Sequence, residues 1–113
     1  MYIFEFQHKL KSQADADEGI RLFKELAAPV FRKVPGLISV DIYKYSGVGS
    51  NPPEWDYVYV EVWESKEAHA NAMGKYIGMG TDSELARTGY YDKVMPMIEK
   101  SAMAFATPVV SSK

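Results

Sequence analysis

Residues 56–65, DYVYVEVWES, constrain the fold more tightly than any other stretch of the chain. Period-two spacing puts Val58, Val60 and Val62 on one face and Tyr57, Tyr59, Glu61 and Trp63 on the other. A strand with one solvated face sets aliphatic residues against small polar ones. Here the second face is aromatic around a carboxylate, so both faces need cover.

Three further segments alternate in the same way. YIFEFQHKL (2–10) puts Tyr2, Phe4, Phe6, His8 and Leu10 on one side, and LISVDIYKYS (37–46) separates Ile38, Val40 and Ile42 from Ser39, Asp41, Tyr43 and Tyr45. SAMAFATPVV (101–110) alternates alanines with Met103, Phe105 and Thr107. Between the first two strands Ile20, Phe23, Leu26, Ala27, Val30, Phe31 and Val34 recur at helical spacing. Asp15 or Asp17 is the expected N-cap, Pro29 predicts a kink or short break, and Pro35-Gly36 ends the run. After the Gly- and Pro-punctuated connection 47–55, residues 65–77 predict a helix capped by Ser65. GMGTDS (78–83) reads as a hinged loop able to act as a lid, and 83–100 as a helix interrupted by Gly89 and Pro96.

The order β-α-β-β-α-β, as one domain over residues 1–113, predicts an α+β ferredoxin-like split βαβ: a four-stranded antiparallel sheet with helices on one side. Assigning the aliphatic faces to the helices (Phe4 and Phe6; Ile38, Val40 and Ile42; Val58, Val60 and Val62; the alanines of 102–106) leaves Asp41, Tyr43, Tyr57, Tyr59, Glu61, Trp63 and Phe105 on the far side. That patch exposes roughly 500 Å² or more of aromatic surface, above what a soluble monomer leaves to water. A second copy about a two-fold axis is the simplest cover, so a homodimer is expected, its two sheets forming a barrel-like space. An interface without catalysis would also be rich in Tyr and Trp, although its core would be depleted in carboxylates.

Composition narrows the function. Net charge is −2 with both signs mixed along the chain, which supports neither nucleic-acid binding nor a membrane surface. With no cysteine, disulfides, thiolate metal sites and Cys nucleophiles are excluded. Met1 leads directly into the alternating pattern, so no secretory segment is expected and the protein reads as soluble and cytoplasmic.

RKVPGLISVDIYKYS followed by VEVWESKEAHANAM resembles the antibiotic-biosynthesis-monooxygenase family of dimeric α/β barrels, best over roughly residues 2 to 75. The resemblance implies a cofactor-independent oxidoreductase acting on an aromatic, quinol or polyketide-like small molecule in a cavity between sheet and helices. Trp63 matches the family's Trp at the end of the third strand, and Arg87 is the best match for an Arg that lines the site. The family's Asn four residues before the Trp is Tyr59 here. A haem-degrading branch of the superfamily uses a His on the following helix. His69 falls earlier than that position, so no haem is expected.

Cofactor-free oxygenation needs a base, an apolar cavity and donors for charge on ring oxygens. Glu61, if buried, has the raised pKa that suits a base near neutral pH, or it is a structural carboxylate bonded to Tyr43 or Tyr57. Glu61, Trp63 and Arg87 are therefore the catalytic candidates, with Tyr59, Tyr57, Tyr43, Asp41, Phe105 and His69 as ligand-binding candidates. Arg87 can instead pair with Glu84 in solvent. His8 is expected as a satisfied histidine at the core's edge, and His69 as an exposed or half-buried helix residue. No metal-ligand spacing, dinucleotide motif or cofactor signature is present. The reading from another class is a non-catalytic dimer that binds an apolar ligand.

Overall fold

In a computed structural model, residues 1–80 and 82–110 are described, and the strands and helices follow the order read from the periodicity. β1 spans Tyr2–Leu10, α1 Gln13–Leu22, α2 Ala28–Phe31, β2 Leu37–Lys44 and β3 Tyr57–Trp63. α3 spans Lys66–Ala72, α4 Glu84–Arg87, α5 Tyr90–Val94 and β4 Ile98–Ala106. The sheet is four-stranded and antiparallel, in the order β2-β3-β1-β4, which is the ferredoxin-like arrangement. Among the described residues no helix is long and apolar enough to cross a membrane.

Local chemistry accounts for most element ends. Ser65 caps α3 as expected, its Oγ accepting from the Ala68 N–H at 3.1 Å. The cap of α1 is Ser12 rather than Asp15 or Asp17: extended at φ −154°, Ser12 accepts from the Asp15 N–H at 3.0 Å and leaves both aspartates inside the helix. The break expected at Pro29 falls just upstream, as a π-helical turn over Phe23–Ala27, so Pro29 sits in the first turn of α2, where its missing N–H costs nothing. Gly89, at φ +83°, separates α4 from α5. Met95–Met97 forms a 3-10 turn at Pro96, and β4 begins earlier than Ser101, at Ile98 opposite Leu10. The loop read at 78–83 includes position 81, which lies outside the described residues.

Strand register corrects the assignment of faces. Phe4 lies opposite both Glu61 and Phe105, Phe6 opposite Tyr59 and Met103, and His8 opposite Tyr57; Val40 and Ile42 face Glu61 and Tyr59 from the other side. Directly paired residues project to the same face. The Tyr57-Tyr59-Glu61-Trp63 face therefore meets the helices of its own chain, together with Met103 and Phe105. Val58, Val60, Val62 and the alanines of β4 point outward beside Ile3, Glu5, Gln7, Asp41 and Tyr43. The long rings bridge the gap to the helices, packing on Leu10, Leu22, Phe23, Phe31, Leu85, Tyr90 and Val94. Asp41 and Tyr43 are exposed on the opposite side of the sheet.

One close approach fixes how α1 sits on the sheet. Gly19 is buried against Tyr57, and a Cβ at position 19 would lie 2.6 Å from Tyr57 Oη. Glycine lets the helix pass directly over the phenol.

Candidate functional site

Between the sheet and the helices lies a cavity of about 320 Å³. Phe4, Phe6 and His8 of β1, Tyr59 and Glu61 of β3, and Met103 and Phe105 of β4 form its floor. Its roof comes from Phe23 and Phe31, from His69 and Ile77, and from Leu85, Tyr90, Tyr91 and Val94. Met73, Met79, Met95, Met103 and Phe105 are all exposed where they line it, and they make a soft apolar mouth. The volume lies at the lower end of the ~300–1,000 Å³ range of small-molecule sites.

Polar groups inside the cavity are few. Glu61 is buried, and its Oε1 accepts from Trp63 Nε1 at 3.0 Å. Burial pushes the Glu61 carboxyl up to about 7, against a partial lowering by the indole bond. No described residue makes a hydrogen bond to its other oxygen. Trp63 itself is fully buried behind Glu61, with its ring edge against His69 at 5.2 Å between centroids.

Tyr59 and Tyr90 share a short hydroxyl–hydroxyl bond that ties β3 to α5. Burial raises both phenols far above their ordinary range, so they stay protonated at physiological pH. Two hydroxyls carry two hydrogens and the bond between them uses one, so the pair has one further hydroxyl hydrogen, with the Tyr57 phenol close by. The Tyr91 hydroxyl donates to the Ile77 carbonyl. Burial, and then the nearby Glu61 carboxylate, raise its pKa.

The site candidates therefore divide by position. Glu61, Tyr59, His69 and Phe105 line one cavity, while Trp63 and Tyr57 stand directly behind its wall. Asp41 and Tyr43 are on the outer face of the sheet, away from it, because the register turns their side of β2 outward. Arg87 is exposed on α4 and does not line the cavity; Glu84, its expected partner, pairs with Lys33 instead. The partner of Glu61 is Trp63, not Tyr43 or Tyr57.

The expectation of a satisfied His8 is also corrected. His8 is buried in the cavity wall, its Nδ1 has no hydrogen-bond partner among the described residues, and desolvation pulls its pKa down to about 4. An unmet buried polar group costs about 1–3 kcal/mol. Tyr90 and Tyr91 were missed. The signal was there in GYYDKV, where a tyrosine pair opens a short helix just after a left-handed glycine.

The family model for antibiotic biosynthesis monooxygenase matches residues 2–75. The chain belongs to that family. Solved structures agree on the fold. HapK from Hahella chejuensis aligns over 100% of this chain and 97% of its own at 16% identity, with a TM-score of 0.70. A dimeric ferredoxin-like protein from an uncultured marine organism gives 98% and 92% coverage, 12% identity and a TM-score of 0.69. An antibiotic biosynthesis monooxygenase structure gives 97% and 100%, 18% and 0.65. No curated protein matches the sequence. At these identities the structural likeness speaks for the fold, and within the family's matched region lie Glu61, Trp63, Tyr59 and His69.

Proposed function

We propose that the protein is a cofactor-independent monooxygenase of hydroxylated aromatic or quinol-type small molecules, with Glu61 as its general base. The observation that carries this reading is a lone carboxylate in an apolar cavity whose pKa of about 7 lets it accept a proton near neutral pH. Glu61 takes the phenolic proton through the oxygen that Trp63 leaves free. The resulting phenolate is electron-rich enough to reduce O₂ within the same water-poor space. A new C–O bond forms at a ring carbon that bears hydrogen; that hydrogen leaves as the O–O bond breaks, and with the proton returned by Glu61 it makes the departing oxygen one water and leaves a quinone carbonyl. The ring supplies all the electrons, so no redox cofactor enters the balance. The further hydroxyl hydrogen of the Tyr59/Tyr90 pair stabilises charge on the ring oxygen.

The working form in this reading is a cytoplasmic homodimer of one-domain chains, paired through the outer sheet face. Val60, Val62 and the β4 alanines supply its apolar centre, and a structural neighbour is described as dimeric.

Glu61→Gln tests the base. It keeps the shape and can still accept from Trp63 Nε1, but it cannot take a proton. Oxygen uptake with hydroxylated naphthalenes and anthrones should fall by roughly 100-fold or more, with folding intact. A parent protein that binds these compounds but consumes no oxygen with any of them is a binder, and the catalytic reading fails.

A further inference from the structure

Among the described residues, His8 is the one polar side chain of the cavity floor that no other side chain or backbone group hydrogen-bonds. Its ring packs tilted against Phe6 at 4.2 Å and edge-on to Tyr59 at 5.1 Å, centroid to centroid, and lies 5.5 Å from Tyr57. These rings hold the imidazole in place, yet no described residue hydrogen-bonds to it. Tyr57, directly across the ladder, likewise has a buried hydroxyl that makes no hydrogen bond within normal geometry to a described residue. The described side chains' unmet buried polar atoms thus gather on one cross-strand pair, at the opposite end of the floor from Glu61.

The ladder gives the spacing. Glu61 pairs with Phe4, and His8 lies on the same strand and face as Phe4 with Phe6 between them. Two such steps set the Glu61 and His8 positions ~13 Å apart along the strands. A hydrogen bond of ~2.8 Å at each end leaves roughly 7 Å between two ligand oxygens. That is the span of a fused two-ring aromatic substituted at opposite ends.

Resting on the reading of Glu61 as the group that meets the acidic hydroxyl, we propose that His8 forms a second, specificity-determining subsite that binds an oxygen substituent on the far ring of the ligand. The favoured ligands are elongated fused aromatics carrying a hydroxyl or carbonyl at each end. Neutral at physiological pH, the imidazole has one N–H and one lone pair, so it can serve a carbonyl or a hydroxyl alike.

Calorimetric binding of 2-naphthol and 2,6-dihydroxynaphthalene tests the subsite without any need for turnover. The parent should bind the diol roughly tenfold more tightly than the mono-ol. His8→Phe should abolish that preference, and His8→Gln, which can still donate and accept, should keep part of it. His8→Leu serves as a second apolar replacement should the Phe variant not fold. Equal affinities in the parent, or a preference that survives in the apolar variants, would overturn the subsite and leave the cavity reading standing. Failure of the parent to bind either naphthol would overturn both.

Discussion

Trp63 Nε1 donates to Glu61 Oε1 at 3.0 Å, between residues two positions apart on the same face of β3. The indole fixes one carboxylate oxygen and leaves the other for the cavity. It also keeps the carboxylate from being stranded in apolar surroundings, where an unpaired charge is costly. Burial outweighs this single bond, and the pKa rises. The catalytic and stability predictions both follow from that balance.

The pH dependence of stability should show two opposed slopes. Glu61 titrates near 7 folded against about 4.5 unfolded, so the folded chain holds an extra proton between those values and loses stability as pH rises through them. His8 titrates near 4 folded against 6.5 unfolded; there the unfolded chain holds the extra proton, and stability rises with pH. The two nearly cancel in the parent. Relative to it, Glu61→Gln should gain on the order of 3 kcal/mol between about pH 4.5 and 7, and His8→Phe should gain as pH falls from about 6.5 to 4. Urea unfolding across this range measures both differences. A pH-independent difference for Glu61→Gln would mean that the carboxyl titrates normally.

Val60 points outward between Glu5 and Asp41 of the flanking strands. Val60→Lys places an ammonium beside two carboxylates, which a single chain tolerates, but sets a desolvated charge at the centre of a face-to-face interface. Light scattering at micromolar concentration should report a dimer for the parent and a folded monomer for the variant. A dimeric Val60→Lys protein would place the interface elsewhere.

The Tyr59–Tyr90 bond should behave as a coupled pair. Either single Phe variant leaves a hydroxyl buried without its partner and should cost about 1–3 kcal/mol, whereas the double variant removes both groups. Denaturant unfolding of all four proteins should therefore give a double-variant loss smaller than the sum of the singles, with a coupling of about 1 kcal/mol or more. Simple additivity would mean that the hydroxyls do not support each other.

Gly19→Ala should destabilise by about 1–3 kcal/mol, because its Cβ meets Tyr57 Oη at 2.6 Å. The other near atoms, Tyr57 Cζ and Val94 Cγ2, stand at 3.7 Å, which is ordinary contact. Tyr57→Phe removes only the clashing oxygen, so thermal melting of Gly19→Ala/Tyr57→Phe should recover most of the loss. No recovery would mean that the helix, not the hydroxyl, resists the methyl group.

The sequence alone determined the strands, the helices and their order, because period two, period 3.6 and caps such as Ser65 are local signals. It also set Glu61 among the aromatic residues of one face of β3. Only the tertiary structure decided which face of β3 meets the helices. Alternation says which residues share a face, but swapping the two faces leaves the pattern unchanged; pairing with β1 breaks that symmetry by setting Glu61 beside Phe4 and Tyr59 beside Phe6. The same long-range register removes Asp41 and Tyr43 from the cavity, and helix packing brings in Tyr90 and Tyr91 and leaves Arg87 in solvent. Whether a histidine such as His8 finds a hydrogen-bond partner depends on groups far away in the chain, and no local spacing encodes them.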